Sequence, residues 1–185
     1  MFVRSFFLGI AASAALATGA MAADYYSSGA DYSTGAPAND IYSGPMFNFE
    51  GAYAGVLGGG YLGNIDDQGV GGGTVGIVAG VNFAMSDMIL AGLEFQGGVM
   101  WPDSDWDWEA YALGRVGFTV TDGIMAYGAA GLGRAAGAGV YAFGGGVEVA
   151  AFDPISVRGE ILGVGEWGEG PSAAKATAGV LFHFN

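Results

Sequence analysis

Apolar and polar side chains alternate along two neighbouring stretches of the chain, residues 89–101 and 108–120. One set of alternate positions carries only apolar residues, namely Ile89, Ala91, Leu93, Phe95, Val99, Trp101, Trp108, Ala110, Ala112, Val116, Phe118 and Val120. The other set includes the polar residues Glu94, Gln96, Glu109, Tyr111, Arg115 and Thr119. A period of two predicts β-strands. Each strand then has one apolar and one polar face, and the rest of the chain must decide which face is inside.

From residue 49 onward, eight segments have strand character: 49–61, 74–84, 89–100, 106–120, 124–133, 140–152, 156–165 and 174–184. Each is near the roughly 9–11 residues that a tilted strand needs to cross a bilayer. Short turns are expected at 85–88, 121–123 and 153–155, and longer loops at 62–73, 101–105, 134–139 and 166–172. Outer-membrane barrels have short turns at one end and longer loops at the other. The sequence therefore predicts an all-β fold, an eight-stranded antiparallel up-and-down transmembrane β-barrel.

Pairing the third predicted strand with the fourth indicates which face is the interior. One register places Trp101 opposite Trp108 and Glu94 beside Arg115. An arginine that faced lipid near the midplane would cost about 2–4 kcal/mol, so the polar face is expected to line the lumen. Aromatic residues on the apolar face are expected to form a girdle at the level of the lipid headgroups: Trp101, Trp106, Trp108, Phe182 and Phe184.

Six charged residues fall on predicted inward positions, and we expect them to form a packed ionic network that plugs the lumen. The bases Arg115, Arg158 and Lys175 are expected to pair with Glu94, Glu148 and Glu160. An eight-stranded barrel encloses room only for side chains or one small ligand. Two alternatives stay open. Some of these charges could extend to a rim, or buried carboxylates could be catalytic groups.

The N-terminal region predicts export. Residues 1–22 are expected to be a cleaved signal peptide, since Arg4 precedes the uncharged run 6–16 and Ala20 and Ala22 stand at the cleavage site. Residues 23–48, rich in Tyr, Ser, Gly and Asp, are expected to be a flexible periplasmic segment, and residues 49–185 the barrel. No helix long enough to span a membrane follows residue 22.

Composition narrows the partners. The chain has no Cys, 18 acidic residues and only five basic ones, which disfavours nucleic acid as a partner. It is 52% hydrophobic and 12% charged, whereas soluble domains are about a quarter charged. The low charge therefore also favours a membrane protein.

Candidate chemical sites are few. The series Asp103, Asp105, Asp107, Glu109 begins like a calcium loop, but Trp108 and Gly114 stand where that loop needs Gly and Glu. A looser cation site at the barrel mouth stays open, and Asp66, Asp67, Glu166 and Glu169 extend this acidic cap. His183 has no serine at a spacing that suggests a catalytic dyad, so a lumen histidine is expected. No metal, cofactor or phosphate-binding motif is expected, and no enzymatic activity.

Several strands resemble those of the opacity-type outer-membrane barrel family, which includes small surface antigens of α-proteobacteria. The similar stretches are ILAGLEFQGG (89–98), YALGRVGF (111–118), MAYGAAGLG (125–133), GGGVEVAA (144–151) and VRGEI (157–161). The resemblance covers about residues 49–185 and maps the family's inward positions onto Glu94, Arg115, Glu148, Arg158 and Glu160. One departure is that Asn185 follows Phe184, where such barrels usually end in an aromatic residue.

The resemblance implies a non-enzymatic barrel of the bacterial outer membrane with a structural or surface-interaction role. The expected partners are the lipid bilayer, lipopolysaccharide and the barrel-insertion machinery, which would read the strand 174–184; an external partner stays open. The rival functions are a narrow porin-like diffusion channel, a lipid-modifying barrel enzyme and, as a third possibility, a soluble lipocalin-like binder.

Overall fold

The computed structural model describes residues 47–65, 68–69, 71–102 and 106–184. The predicted signal peptide, residues 23–46 of the predicted periplasmic segment, and Asp66, Asp67, Asp103 and Asp105 of the acidic cap lie outside the described residues. The strands are β1 (Gly51–Ile65), β2 (Gln68–Gly69), β3 (Gly72–Ala84), β4 (Ile89–Pro102), β5 (Asp107–Thr121), β6 (Ile124–Ala135), β7 (Ala138–Phe152), β8 (Ile155–Glu166) and β9 (Ala173–Phe184).

The sheet closes on itself. From β3 onward each strand pairs antiparallel with the next, and β1 pairs with β3 on one edge and with β9 on the other. The closing ladder runs from Ala52↔Phe184 to Gly63↔Ala173. The two-residue β2 pairs antiparallel with the last residues of β1. The predicted eight-stranded antiparallel up-and-down barrel is confirmed, and closure leaves none of its eight long strands with an unpaired edge.

The connections alternate as predicted, with one exception. Residues 134–139 were expected to form a longer loop, but β6 and β7 are joined by a two-residue turn, with Ala135 paired to Ala138. Ala136 has φ 48° and Gly137 φ 79°. Two positive φ angles are characteristic of the type I′ turn that matches strand twist in tight hairpins. The expectation was wrong because alanine rarely occupies a left-handed position, so Ala136 gave no turn signal.

The register between β4 and β5 differs by two residues from the predicted one. Glu94 lies opposite Leu113, and Trp108 lies opposite Val99. Trp101 contacts Trp106 instead, with 5.3 Å between ring centroids. Because side chains alternate with a period of two, a shift of two residues leaves every side chain on its predicted face. The pairing was therefore wrong, whereas the assignment of faces holds.

Polar residues point into the barrel and apolar residues point out. On β4, Glu94 is 2% exposed, whereas its neighbours Leu93 and Phe95 are 59% and 66% exposed. Apolar side chains also fill much of the interior, among them Leu113, Met125, Val140 and Leu162. The interior is thus a packed core with a polar network running through it, as the narrow bore of an eight-stranded barrel requires.

Aromatic side chains repeatedly lie across a glycine on the next strand. The directly opposed pairs are Tyr53 with Gly80, Trp101 with Gly73, Tyr111 with Gly133, Tyr127 with Gly146, and Tyr141 with Gly165. A Cβ at any of these glycines would lie 2.3–2.6 Å from the nearest atom of the aromatic side chain. At these five positions the missing glycine side chain leaves room for the ring on the neighbouring strand. The ring in turn covers the glycine, as aromatic residues do in other β-sheets.

Candidate functional site in the barrel interior

All six charged residues predicted for the lumen network are buried there, together with further polar side chains. Of these, Gln96 and Glu109 were predicted on the inward polar face and His183 was predicted as a lumen histidine. Glu94, Arg115, Glu148, Arg158, Glu160 and Lys175 are each at most 4% exposed. Alternation on β4, β5, β7, β8 and β9 turns them inward. The additional buried polar residues are Thr74, Asn82, Gln96, Glu109, Ser156, Thr177 and His183.

Glu94 is the centre of the network. Its Oε2 atom lies 2.8 Å from Arg115 Nη1 and 2.5 Å from Arg158 Nη1. Tyr53 donates to the same oxygen at 2.5 Å, and Arg158 Nη2 lies 3.2 Å from Oε1. One buried carboxylate thus lies between two guanidinium groups. Such a cluster is more stable when its remaining donors are also satisfied, but Arg158 Nε has no hydrogen-bond partner among the described residues.

Glu148 extends the network toward the end of the barrel that carries the short turns. Its Oε2 lies 3.4 Å from Arg115 Nη2. Its Oε1 accepts from Ser156 Oγ at 2.8 Å and lies 2.8 Å from His183 Nε2. Arg115 therefore bridges two carboxylates, with Tyr127 beneath its guanidinium at 4.0 Å from the ring centroid.

Two of the predicted partners differ from those found. Glu160 forms no ion pair with a base among the described residues; it accepts hydrogen bonds from Gln96 Nε2 at 2.7 Å and Tyr127 Oη at 2.8 Å. Lys175 pairs with Glu109, 2.9 Å from Nζ to Oε1. Glu109 was predicted on the same inward polar face as Glu94 and stayed open as part of a looser cation site at the mouth, but it was not included in the predicted ionic network. Its place in that alternation was the signal that could have added it to the network.

Gln96 joins the two ends of the network. Its amide nitrogen donates to Glu94 Oε1 at 2.8 Å, and its amide oxygen accepts from Lys175 Nζ at 3.1 Å. Beyond Lys175, Glu109 accepts from Thr74 Oγ1 at 2.7 Å and from Tyr61. A continuous set of hydrogen bonds therefore runs along the lumen. The space beside Lys175 is too narrow to hold a water molecule.

Ser156 and His183 are adjacent, contrary to the expectation that His183 has no neighbouring serine. Ser156 Oγ lies 3.1 Å from His183 Nε2. The two residues stand on β8 and β9, so antiparallel pairing brings together positions that are distant in sequence.

A nucleophilic triad needs one ring nitrogen to accept from serine and the other to donate to the acid. Here the same nitrogen faces both Ser156 and Glu148, while Nδ1 has no hydrogen-bond partner. Both side chains are buried, so this geometry lacks an activated, accessible nucleophile.

Two phenylalanines that precede β1 cover His183. Phe47 and Phe49 lie 5.0 and 6.0 Å from the His183 ring, measured between ring centroids. Phe49 is 3% exposed, and Asn82 Nδ2 donates to its carbonyl oxygen at 2.8 Å. Phe47 and the neighbouring Asn48 fall in the segment predicted to be flexible, yet Phe47 packs against Phe49 at 4.8 Å between centroids. The aromatic pair shields the lumen at this mouth.

The outer surface carries the predicted girdle residues. Trp106, Trp108, Phe182 and Phe184 are exposed, and Trp101 is partly exposed. The tryptophans lie toward the longer loops, and the two phenylalanines lie near the end of β9, beside the short turns. Trp167 and Tyr141, 5.9 Å apart between centroids, extend the aromatic zone at the loop end. The predicted girdle included neither residue. Trp167 stands in a loop, outside the predicted strands.

No group of three or more His, Cys, Asp or Glu able to hold a metal ion occurs among the described residues. Within the same part of the chain, no helix is long and apolar enough to cross a membrane.

Comparison with known proteins finds similarity among solved structures. No family model matches the sequence, and no curated protein does. A solved chain described as "De novo design of transmembrane beta-barrels" is similar, with a TM-score of 0.44 and 15% sequence identity over 74% of this chain and 98% of that chain. The resemblance to opacity-type barrels therefore stays a prediction.

Proposed function

We propose that this protein is a non-enzymatic membrane-spanning barrel of the bacterial outer membrane, with a structural or surface-interaction role and a closed lumen. The observation that carries the proposal is the distribution of polarity. Large apolar side chains such as Ile77, Phe95 and Val116 are 60–67% exposed, while the buried interior holds the ionic network. In water, an apolar surface that surrounds the barrel would far exceed the few hundred Å² typical of soluble proteins.

The network around Glu94 supports a closed lumen. Its charged groups are buried and bonded to one another across the bore, and passage of a solute would require several of these contacts to break together. A narrow diffusion channel is the alternative that this packing disfavours. A lipid-modifying enzyme would need an accessible nucleophile, and the buried Ser156 does not supply one. Export would use residues 1–22, and insertion would use the last strand.

The test uses the full-length chain expressed in a Gram-negative host. We expect the protein in the outer-membrane fraction, with an unheated sample that migrates differently from a boiled one because a closed barrel resists cold detergent. Recovery in the soluble periplasmic fraction would contradict membrane insertion. Reconstitution in planar bilayers should give no stable single-channel current. Large, steady currents from the heat-modifiable form would contradict the closed lumen and favour the diffusion channel.

A further inference from the structure

Arg134 is the one charged side chain of the described strands that faces outward. It lies near the end of β6, where it is exposed and paired with Ala110 on β5 and Gly139 on β7. Other charged strand residues are buried inside, and the partly exposed Asp107 and Glu166 occupy inward-facing positions at strand ends. The described strands therefore supply no outward-facing counter-charge for Arg134.

The guanidinium of Arg134 is held at the aromatic zone. It lies over the Trp108 ring, 5.2 Å from the centroid. No carboxylate of a described residue lies within ion-pair distance of it. A stacked guanidinium still presents its N–H groups at its edge, and that planar fork matches two oxygens of a phosphate. Tryptophan at this position marks the headgroup level of a bilayer.

Apolar residues continue from Arg134 along the same wall of the barrel. Leu132, which is 57% exposed, is the next outward residue of β6 and lies opposite Ala112. Beyond Leu132 a groove begins, since the outward residues Ala130, opposite Gly114, and Gly128 are small. Phe95 of β4 stands on one side of this groove, opposite Ala112, and Phe143 of β7 stands on the other, opposite Ala130. At Gly128 there is a shallow, open depression of about 370 Å³, which is also lined by Ile89, Val116, Phe118 and Ala126.

The distance from Arg134 to Gly128 fits one leaflet. The six residue steps between them span about 20 Å of strand at roughly 3.3 Å per residue. A strand tilted by roughly 40° then covers about 15 Å along the membrane normal, which is half of a hydrocarbon core of roughly 30 Å. Arg134 and the depression at Gly128 are therefore separated by about the depth of one acyl chain.

We propose that the β5–β6 wall binds an anionic lipid, with the lipid phosphate at Arg134 and an acyl chain in the groove that ends at Gly128. This inference rests on the proposed function, because it needs the barrel to lie in a bilayer. The charge complementarity decides the occupant: a zwitterionic lipid or a second copy of this apolar wall would leave Arg134 without net counter-charge.

The test counts lipids that stay bound to the purified barrel in native mass spectrometry. Phosphatidylglycerol and phosphatidylcholine with identical acyl chains are offered at equal concentration. We expect phosphatidylglycerol to be retained in roughly two- to fivefold excess, the range of a partly exposed charge pair. Arg134→Gln should abolish the excess, and Arg134→Lys should keep part of it. Equal retention of both lipids by the unaltered protein, or an excess that survives in Arg134→Gln, would overturn the proposal.

Two further arms test the groove and the source of the phosphate. Gly128→Leu should lower retention of both lipids because its side chain enters the groove, where only an ordinary contact at 3.8 Å is met by a Cβ. Gly58→Leu, on the outward face of β1 with nothing within 4 Å of a Cβ, is the matched control and should change nothing. If inorganic phosphate displaces the lipid at millimolar concentration, the site binds free anions and the lipid proposal fails.

The failure of this inference can be told apart from the failure of the proposed function. Each variant is first checked for heat-modifiable migration. A barrel that inserts and shows that shift but retains both lipids equally refutes only the lipid site. A protein that stays soluble without detergent refutes the membrane function itself.

Discussion

Replacing Glu94 by glutamine should be among the most destabilising single changes in the interior. The substitution keeps the shape of the side chain but removes the charge that two guanidinium groups share. Arg115 keeps Glu148 at 3.4 Å, whereas Arg158 has no other carboxylate within 4 Å among the described residues. At about 4 Å and an effective dielectric of about 20, each lost attraction is about 4 kcal/mol. Because Arg158 stays buried without an ion-pair partner, we expect the free energy of unfolding to fall by about 3–5 kcal/mol.

The assay is urea unfolding of the barrel in phosphatidylcholine vesicles, followed by tryptophan fluorescence and by heat-modifiable migration. Glu160→Gln is the matched control, since it removes an equally buried carboxylate whose hydrogen-bond donors are both neutral; it should cost about 1–3 kcal/mol. The double variant Glu94→Gln/Arg158→Gln should recover part of the loss because it removes the unpaired charge too. If Glu94→Gln costs less than Glu160→Gln, or the double variant loses the sum of both single changes, the shared-carboxylate reasoning is refuted.

Three more changes test other parts of the barrel. Leu93→Arg on the outer face should lower stability in vesicles by about 2–4 kcal/mol; a loss below about 0.5 kcal/mol, usual for a water-exposed site, would argue against lipid contact. Phe49→Ala should cost about 3–5 kcal/mol and speed the reaction of His183, the single histidine, with diethyl pyrocarbonate; an unchanged rate would show that the ring does not shield it. Gly80→Ala should cost about 1–3 kcal/mol because a Cβ would lie 2.3 Å from Tyr53 Oη, whereas Gly58→Ala, with open space, should be nearly neutral; equal effects would remove the ring-space explanation.

The face assignment could be predicted from the sequence because it depends only on alternation. Glu94 and Arg115 share an inward set with Gln96 and Glu109, and a period of two fixes this sharing whatever the register. It could also be predicted that this set faces inward, because an arginine that contacts lipid is less favourable in free energy than one inside the lumen. For the same reasons, the two-residue error in the predicted pairing of β4 with β5 affected only which residues lie opposite each other. The predicted fold and faces were still correct.

Contacts across the bore could not be predicted in the same way. Gln96 meets Glu160, and Lys175 meets Glu109, through the interior and between strands that are not adjacent in the sheet. Such distances depend on barrel stagger, and a single sequence does not specify stagger. The pairing of Ser156 with His183 was missed for a related reason. Their proximity is set by the register of β8 with β9, so spacing along the chain carries no sign of it.

The closing ladder between β1 and β9 joins segments from opposite ends of the barrel, and this has a consequence for how the chain folds. Loop-closure entropy and a high contact order make such a pairing late and slow. Until β9 arrives, β1 and β8 each present a bare row of backbone groups that another chain could pair with. Loss of β9 would therefore not leave a barrel that is one eighth smaller. It would leave an open curved sheet whose two edge strands have unpaired backbone groups, and such a sheet is prone to aggregate before it reaches the membrane. The last strand therefore determines whether the newly made chain remains a monomer.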